Sequence, residues 1–142
     1  MRLAPKTFAQ HVGWQRQLSL AGWVKPYVLE LSYTSWRSKS YAEEIGDDGP
    51  PFHWDPQRRA LLRADLDAGF LHVYGLDRGE VEQVLDSFVV VRRYDERDFG
   101  EYRTRRLVLE GYDRMTAAIA DGGSGWKSLA DPPPGSGPRH HK

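Results

Sequence analysis

The sequence contains no cysteine, and this absence excludes disulfide bonds, thiolate metal sites and a cysteine nucleophile. It also has no excess charge of one sign, because 20 lysines and arginines balance 20 aspartates and glutamates. A protein that binds nucleic acid by bulk positive charge is therefore excluded, whereas a local basic patch is not. The longest apolar run, residues 88–91, is far shorter than the roughly 20 residues that cross a bilayer. We expect a soluble, cytoplasmic protein without membrane contact.

The chain has 142 residues, of which 39% are apolar and 12% aromatic, and this composition predicts one folded domain. Residues 1–17 are predicted to form a weakly structured N-terminal segment, and residues 18–120 a helical module. Residues 121–142 contain five glycines and four prolines, which predicts a flexible, disordered tail. The predicted fold class is mainly α, with about four helices and one or two short extended segments.

Proline and capping residues suggest where the first two helices begin. Pro26 fits the first turn of a helix that continues to about Trp36, although the β-branched and aromatic content there also fits a short strand. Asp55 is typical of an N-cap, and the apolar pattern after it predicts a central helix that ends at Gly75.

Two further helices are predicted in the second half of the chain. Asp77 and Glu80 have the spacing of a capping box that starts the third helix. The fourth helix is predicted over residues 101–120. Between these two helices we expect an extended segment at residues 88–91 and a charged loop at residues 92–100.

No sequence pattern for catalysis or cofactor binding is present. The sequence lacks a glycine-rich nucleotide loop, a nucleophile elbow and a zinc-binding helix motif, so no catalytic residue, cofactor or metal is predicted. Asp65 and His72 lie seven residues apart on one predicted helix face, but two ligands make only half a metal site. Asp131 and the three prolines after it look like an amino-methyltransferase motif in which proline has replaced the stacking aromatic residue.

Arginine is the most suggestive residue type, with 15 arginines against five lysines. Several of them fall close together and alternate with aromatic side chains, a pattern suited to phosphate and base contacts. Four acidic residues share the same stretch, so a solvated ion-pair network is the alternative interpretation. The predicted DNA-binding residues are Arg92, Arg93, Arg97, Arg103, Arg105 and Arg106.

Specific sequence blocks occur along most of the chain. Residues 24–36 contain the run Val-Leu-Glu-Leu-Ser-Tyr-Thr-Ser-Trp, and residues 49–55 read Gly-Pro-Pro-Phe-His-Trp-Asp. Both blocks resemble the C-terminal region of large DNA adenine methyltransferases of phage-defence and restriction–modification systems, including the methylases of DISARM-type systems. The resemblance covers roughly residues 18–140 and continues through blocks at residues 58–68, 73–76, 84–88, 100–107, 112–113 and 129–134.

The resembled enzymes carry a separate S-adenosylmethionine-dependent catalytic domain, whose glycine-rich turn and Asn-Pro-Pro-Tyr motif do not occur here. The resemblance therefore implies a non-catalytic, DNA-facing or target-recognition-side module. Such a module would bind DNA or dock on a separate methylase subunit. Within it, Arg103, Arg105 and Arg106 match the family's Tyr-Arg-Thr-Lys/Arg-Arg run. A second set is interpreted as scaffold that caps and packs helices: Trp54, Asp55, Arg58, Tyr74 and Phe88.

Three alternatives stay open at this point: a protein–protein interaction module, a degenerate remnant without DNA binding, and an enzyme in its own right. Whether a partner methylase exists, the DNA sequence read and the oligomeric state are open as well. Two surface features would separate docking from DNA binding. An arginine-lined concave face would indicate DNA, whereas docking would be indicated by a contiguous exposed patch of Trp23, Tyr27, Tyr33 and Trp36.

Overall fold

A computed structural model describes residues 5–141, and within them the fold is mainly α, which confirms the predicted fold class. Two short antiparallel strands precede the helices: β1 (His11–Val12) and β2 (Gln15–Ser19). Short 3-10 turns occupy Pro5–Ala9 and Trp36–Ser38. The six α-helices described are α1 (Leu20–Ser32), α2 (Lys39–Glu44), α3 (Pro56–Val73), α4 (Arg78–Asp86), α5 (Val89–Phe99) and α6 (Arg103–Ala120).

The core forms where α3 and α6 pack along each other and α1 packs on α3. Leu62 on α3 and Met115 on α6 are completely buried, together with the ring of Trp23 on α1. Gly69 allows this close approach, because a Cβ at that position would lie 2.5 Å from the Trp23 ring. Burial of each such large side chain stabilises the fold by about 1.5–3 kcal/mol.

The N-terminal segment is more ordered than predicted over the part of it that the structure describes. β1 and β2 form a tight hairpin that buries Trp14, whose ring meets Trp23 edge to face with 4.9 Å between the ring centroids. One large aromatic side chain is enough to anchor the turn, because aromatic residues bury the most area. Residues 1–4 of the predicted weak segment lie outside the described residues.

The start of α1 differs from the prediction, whereas the two predicted aspartate caps are confirmed. Ser19 caps α1 by accepting a hydrogen bond from the Gly22 N–H at 3.1 Å, so Pro26 lies inside the helix. Asp55 accepts hydrogen bonds from the first backbone N–H groups of α3, and Asp77 and Glu80 form the capping box of α4. An interior proline costs about 3 kcal/mol, and the burial of Tyr27 and Trp23 beside it offsets that cost.

The predictions for residues 88–100 are wrong, because these residues form α5 instead of an extended run and a charged loop. An ion pair one turn apart, Arg92 to Glu96 at 2.7 Å, supports the helix. The helix ends at Gly100, whose φ of 73° is the left-handed conformation that glycine adopts without strain. α5 packs on α6 and leaves none of its own residues buried.

The C-terminal residues 121–141 have no helix or strand of their own, yet they pack on the helices rather than forming the predicted flexible tail. Trp126 and Ala130 belong to the main core. Further along, Arg139 pairs with Asp47 at 2.8 Å and stacks on the ring of Phe52. The structure thus differs from the prediction because this segment finds polar partners far away in the sequence.

The main polar partner of the C-terminal segment is a buried ion pair between Glu30 of α1 and Arg58 of α3. The two side chains are only 5% and 9% exposed. The Arg58 guanidinium donates to Glu30 Oε1 at 2.8 Å and to the carbonyls of Pro132 and Pro133. Glu30 Oε1 also accepts the backbone N–H of Gly135 at 2.9 Å. We call this arrangement the Glu30–Arg58 clamp.

The clamp also explains why residue 137, further along the C-terminal segment, is a glycine. A Cβ at Gly137 would lie 2.4 Å from the Glu30 carboxylate and 2.7 Å from the Arg58 guanidinium. Gly137 is buried, and its N–H donates to Glu30 Oε1 at 3.3 Å. Only glycine allows the backbone to approach the ion pair this closely.

We predict that Glu30→Gln lowers the free energy of unfolding by about 3–5 kcal/mol, because it leaves the buried Arg58 charge without its counter-ion. Urea denaturation measures this loss, and hydrogen exchange should rise selectively in residues 131–139. Asp98→Asn breaks a fully solvated ion pair and serves as the control, with a far smaller expected effect. Equal stability of the two variants would contradict the role assigned to the clamp.

Candidate functional site

The six arginines predicted to bind DNA lie on α5 and the first turn of α6. Most of them are engaged by carboxylates of the chain itself, at distances typical of charge-assisted hydrogen bonds. The paired side chains are Arg92 with Glu96 at 2.7 Å, Arg97 with Asp98 at 2.8 Å, Arg105 with Asp86 at 3.0 Å, and Arg106 with Glu101 at 2.8 Å.

The Arg106–Glu101 contact illustrates how these carboxylates neutralise the arginine charges. Arg106 donates to both carboxylate oxygens of Glu101, and these hydrogen bonds hold the pKa of Glu101 below its usual range. A phosphate would have to displace this carboxylate before it could contact Arg106. For the four paired arginines, the geometry therefore matches the ion-pair alternative.

The other two arginines of the predicted patch differ from these four. The Arg103 guanidinium lies 3.5 Å from the centre of the Phe99 ring and donates to the side-chain oxygen of Gln57 at 3.1 Å. Arg93 is exposed and forms no hydrogen bond or ion pair with any residue between 5 and 141. Of the six predicted arginines, only Arg93 and Arg103 form no ion pair with a carboxylate of the described residues.

A concave site lies next to Arg103, between α3 on one side and α5 with the start of α6 on the other. It is an open groove of about 440 Å³. Its floor is apolar and includes Ala60, Ala64 and Leu107. The larger side chains on its walls are Trp54, Arg59, Arg63, Phe88, Val91 and Arg103. We call this site the α3–α5 groove.

The cations of the α3–α5 groove come mainly from α3. The Arg59 guanidinium stacks 3.6 Å from the centre of the Trp54 ring and donates one hydrogen bond, to the Leu31 carbonyl at 3.0 Å. Burial and the nearby charge of Arg63 lower the pKa of Arg59. Within residues 5–141, neither arginine forms an ion pair.

Two carboxylates also line the groove and partly balance these cations. Asp95 on α5 accepts the Thr104 N–H at 2.7 Å and so caps the start of α6, whose first N–H groups have no helical partner. Asp67 lies one turn after Arg63 on α3. Three guanidinium groups therefore face two carboxylates, one of which already serves as a helix cap.

The α3 side of this groove was not predicted from the sequence. Trp54 and Phe88 were interpreted as packing residues, but they are 64% and 45% exposed. Arg59 and Arg63 were not singled out, although their spacing of four residues places them on one helix face. That spacing, together with an aromatic residue just before the helix, was the available signal.

A second feature is the set of exposed apolar side chains on α5, which we call the α5 surface. Its residues Val89, Val90, Val91, Tyr94 and Phe99 are all exposed, from 39% at Val91 to 63% at Val89. Exposed apolar side chains this close together commonly mark a binding surface. The docking patch considered in the sequence does not form, because Trp23, Tyr27 and Tyr33 are buried and only Trp36 is exposed.

Asp65 and His72 do not converge on a metal site. Asp65 is buried and accepts hydrogen bonds from the hydroxyls of Tyr27 and Ser128, whereas His72 stacks on the Tyr112 ring at 3.9 Å. Among residues 5–141, no group of three or more acidic or histidine side chains is placed to hold a metal ion. In the same range, no helix has the length and apolar content needed to cross a membrane.

Comparisons with known proteins identify no relative of this chain. No family model, curated protein or solved structure matches the chain. The interpretation of the α3–α5 groove and the α5 surface therefore depends on their geometry and chemistry.

The half-buried His72 leads to a prediction about pH. Burial lowers the pKa of His72 below its ordinary value of 6.5, so the folded state favours the neutral ring. The unfolded chain binds the proton more readily, so this stabilisation is complete above pH about 7 and is lost as the pH falls through about 6.5. We predict that His72→Phe reduces the loss of unfolding free energy between pH 7.5 and pH 5.5, roughly the range over which histidine titrates. Denaturation curves at the two pH values measure it, and an unchanged loss would contradict it.

Proposed function

We propose that this chain is a non-catalytic module that docks through the α5 surface on a methyltransferase subunit in the cytoplasm. The observation that carries the docking is the α5 surface itself, since α5 contributes no buried residue to the chain's own core. The class of partner comes from the resemblance of the sequence blocks to DNA adenine methyltransferases. No catalytic residue or cofactor of its own is part of the proposal.

The composition of the α5 surface supports docking on a protein. Protein interfaces are enriched in aromatic residues and arginine and are poor in lysine. α5 combines valines and Tyr94 with Arg93 and Arg97, and it contains no lysine. The Arg97 guanidinium lies 4.8 Å from the centre of the Tyr94 ring, an arrangement suited to the rim of an interface.

The resembling sequence blocks support a shared scaffold. Glu30, Arg58 and Pro132 belong to three separate blocks, and they meet in the Glu30–Arg58 clamp. The blocks at residues 84–88 and 100–107 flank α5 on either side.

DNA binding through the six predicted arginines stays a prediction, and the geometry favours it less. Four of these arginines are already paired, so a phosphate would have to compete with a carboxylate that is close by at every position. Docking needs no such exchange. We therefore place protein docking ahead of DNA binding by this patch.

We predict that Val90→Glu combined with Tyr94→Glu weakens binding to the partner at least about tenfold, because both changes put charge at the centre of a desolvated interface. The partner to use is a methyltransferase polypeptide from the same genome that lacks a segment resembling residues 18–140. Calorimetric titration measures the affinity, and circular dichroism checks that the variant is folded.

The matched control is Trp36→Glu combined with Tyr41→Glu, which adds the same two negative charges at exposed aromatic residues outside α5. Its affinity should equal that of the unchanged protein. Failure of the unchanged protein to bind the methyltransferase would overturn the proposed partner. Equal weakening by the control would overturn the assignment of docking to α5.

A further inference from the structure

The α3–α5 groove has a composition that protein docking does not explain. It joins guanidinium groups, two of them from α3, to an apolar floor and to the exposed ring of Trp54, and these residues lie outside the α5 surface. We propose that this groove binds one nucleotide unit, a phosphate ester that carries a flat ring, either as a free nucleotide or as an unpaired residue of a nucleic-acid strand. This proposal does not rest on the docking function.

The arginines are placed to bind the phosphate. Arg59 and Arg63 lie one turn apart on α3, and Arg103 approaches from the opposite wall. Guanidinium groups donate two parallel hydrogen bonds to phosphate oxygens, and none of these three forms a hydrogen bond or ion pair with a carboxylate among residues 5–141. Arg103 is held in position by Gln57 and Phe99, so little of its side-chain freedom remains to be lost on binding.

The rings and the floor are suited to the base. Trp54 is 64% exposed and already stacks on the Arg59 guanidinium at 3.6 Å. Phe88 and Val91 form an apolar wall on the α5 side. Stacking between a base and an aromatic ring contributes about 1–3 kcal/mol per base and tolerates any sequence.

The groove suits an unpaired nucleotide better than duplex DNA. In a duplex the faces of the bases are stacked on one another, so an apolar floor and an aromatic ring would find only sugar and phosphate. The volume of about 440 Å³ lies in the range of clefts that hold small ligands. The arginine-lined concave face expected of a DNA-binding module is present here, and its apolar floor favours an unpaired strand over a duplex backbone.

Substitution of Asp67 should change phosphate binding in the opposite direction to substitution of Arg63. Its carboxylate lines the groove one turn from Arg63 and repels any bound anion. Removing this charge should strengthen phosphate binding, whereas removing Arg63 should weaken it. Opposite effects from two neighbouring positions on α3 would not arise from a general loss of fold.

The experiment uses the full chain and three probes: adenosine monophosphate, a labelled oligothymidine single strand and a labelled duplex. The strand should have about 12 nucleotides, within the site sizes of small single-strand-binding folds. Fluorescence anisotropy follows the strand and the duplex, and quenching of tryptophan fluorescence follows the mononucleotide. Loss of the quenching in Trp54→Phe would assign the signal to the groove.

We expect Arg63→Ala to weaken binding of the strand about tenfold and to flatten its salt dependence by about 0.7 per lost phosphate contact. Asp67→Asn should strengthen binding. The charge-matched control is Arg78→Ala, which removes an arginine of α4 already paired with Asp113 and outside the predicted patch, and it should leave the affinity and the slope nearly unchanged. Arg63 is exposed, and its charge opposes the burial that raises the pKa of Asp67, so circular dichroism checks that Arg63→Ala stays folded.

The outcomes separate the two sources of the ligand. Saturable binding of adenosine monophosphate that depends on Trp54 and Arg63 supports a free nucleotide, and binding of the strand alone supports nucleic acid. Binding of the duplex as tightly as the strand would overturn the proposal of an unpaired nucleotide. Absence of binding by all three probes, or equal effects of Arg63→Ala and Arg78→Ala, would overturn the groove as the site.

Discussion

The buried ion pair between Glu30 and Arg58 is the interaction on which the rest of the structure depends. It joins α1 to α3, and its remaining hydrogen-bonding capacity holds the backbone of the C-terminal segment. Two charges removed from water are stable only when their other donors and acceptors are also satisfied. The proline- and glycine-rich segment satisfies them, which explains why a stretch with no helix or strand has a defined position.

Charge elsewhere in the molecule is used in a different way. On α5 and at the start of α6, arginines and carboxylates neutralise one another at the surface, where each pair adds little stability. The α5 surface is apolar, and in the neighbouring groove Arg59 and Arg63 form no ion pair with a carboxylate of the described residues. Val91 belongs to the α5 surface and also lines the groove, so the two proposed binding features are adjacent.

Features that depend on contacts between residues close in sequence were predicted correctly, and features that depend on distant residues were not. The caps at Asp55 and Asp77 were predictable, because a capping side chain bonds to backbone only two or three residues away. The predictions for α5 were wrong, because a run of valines suggested a strand while spaced ion pairs and packing on α6 favoured a helix. The α3–α5 groove was missed because its walls come from segments about 40 residues apart, such as Arg63 and Arg103.

By itself the sequence determined the mainly helical class, the starts of α3 and α4, and the absence of thiol chemistry. Each of these follows from residue type or from contacts within one helical turn. The tertiary structure decided which arginines are paired, which aromatic residues are exposed and where the C-terminal segment lies. These properties depend on partners that are distant in the chain, as Glu30 is from Gly135, and only the packing of the helices brings such partners together.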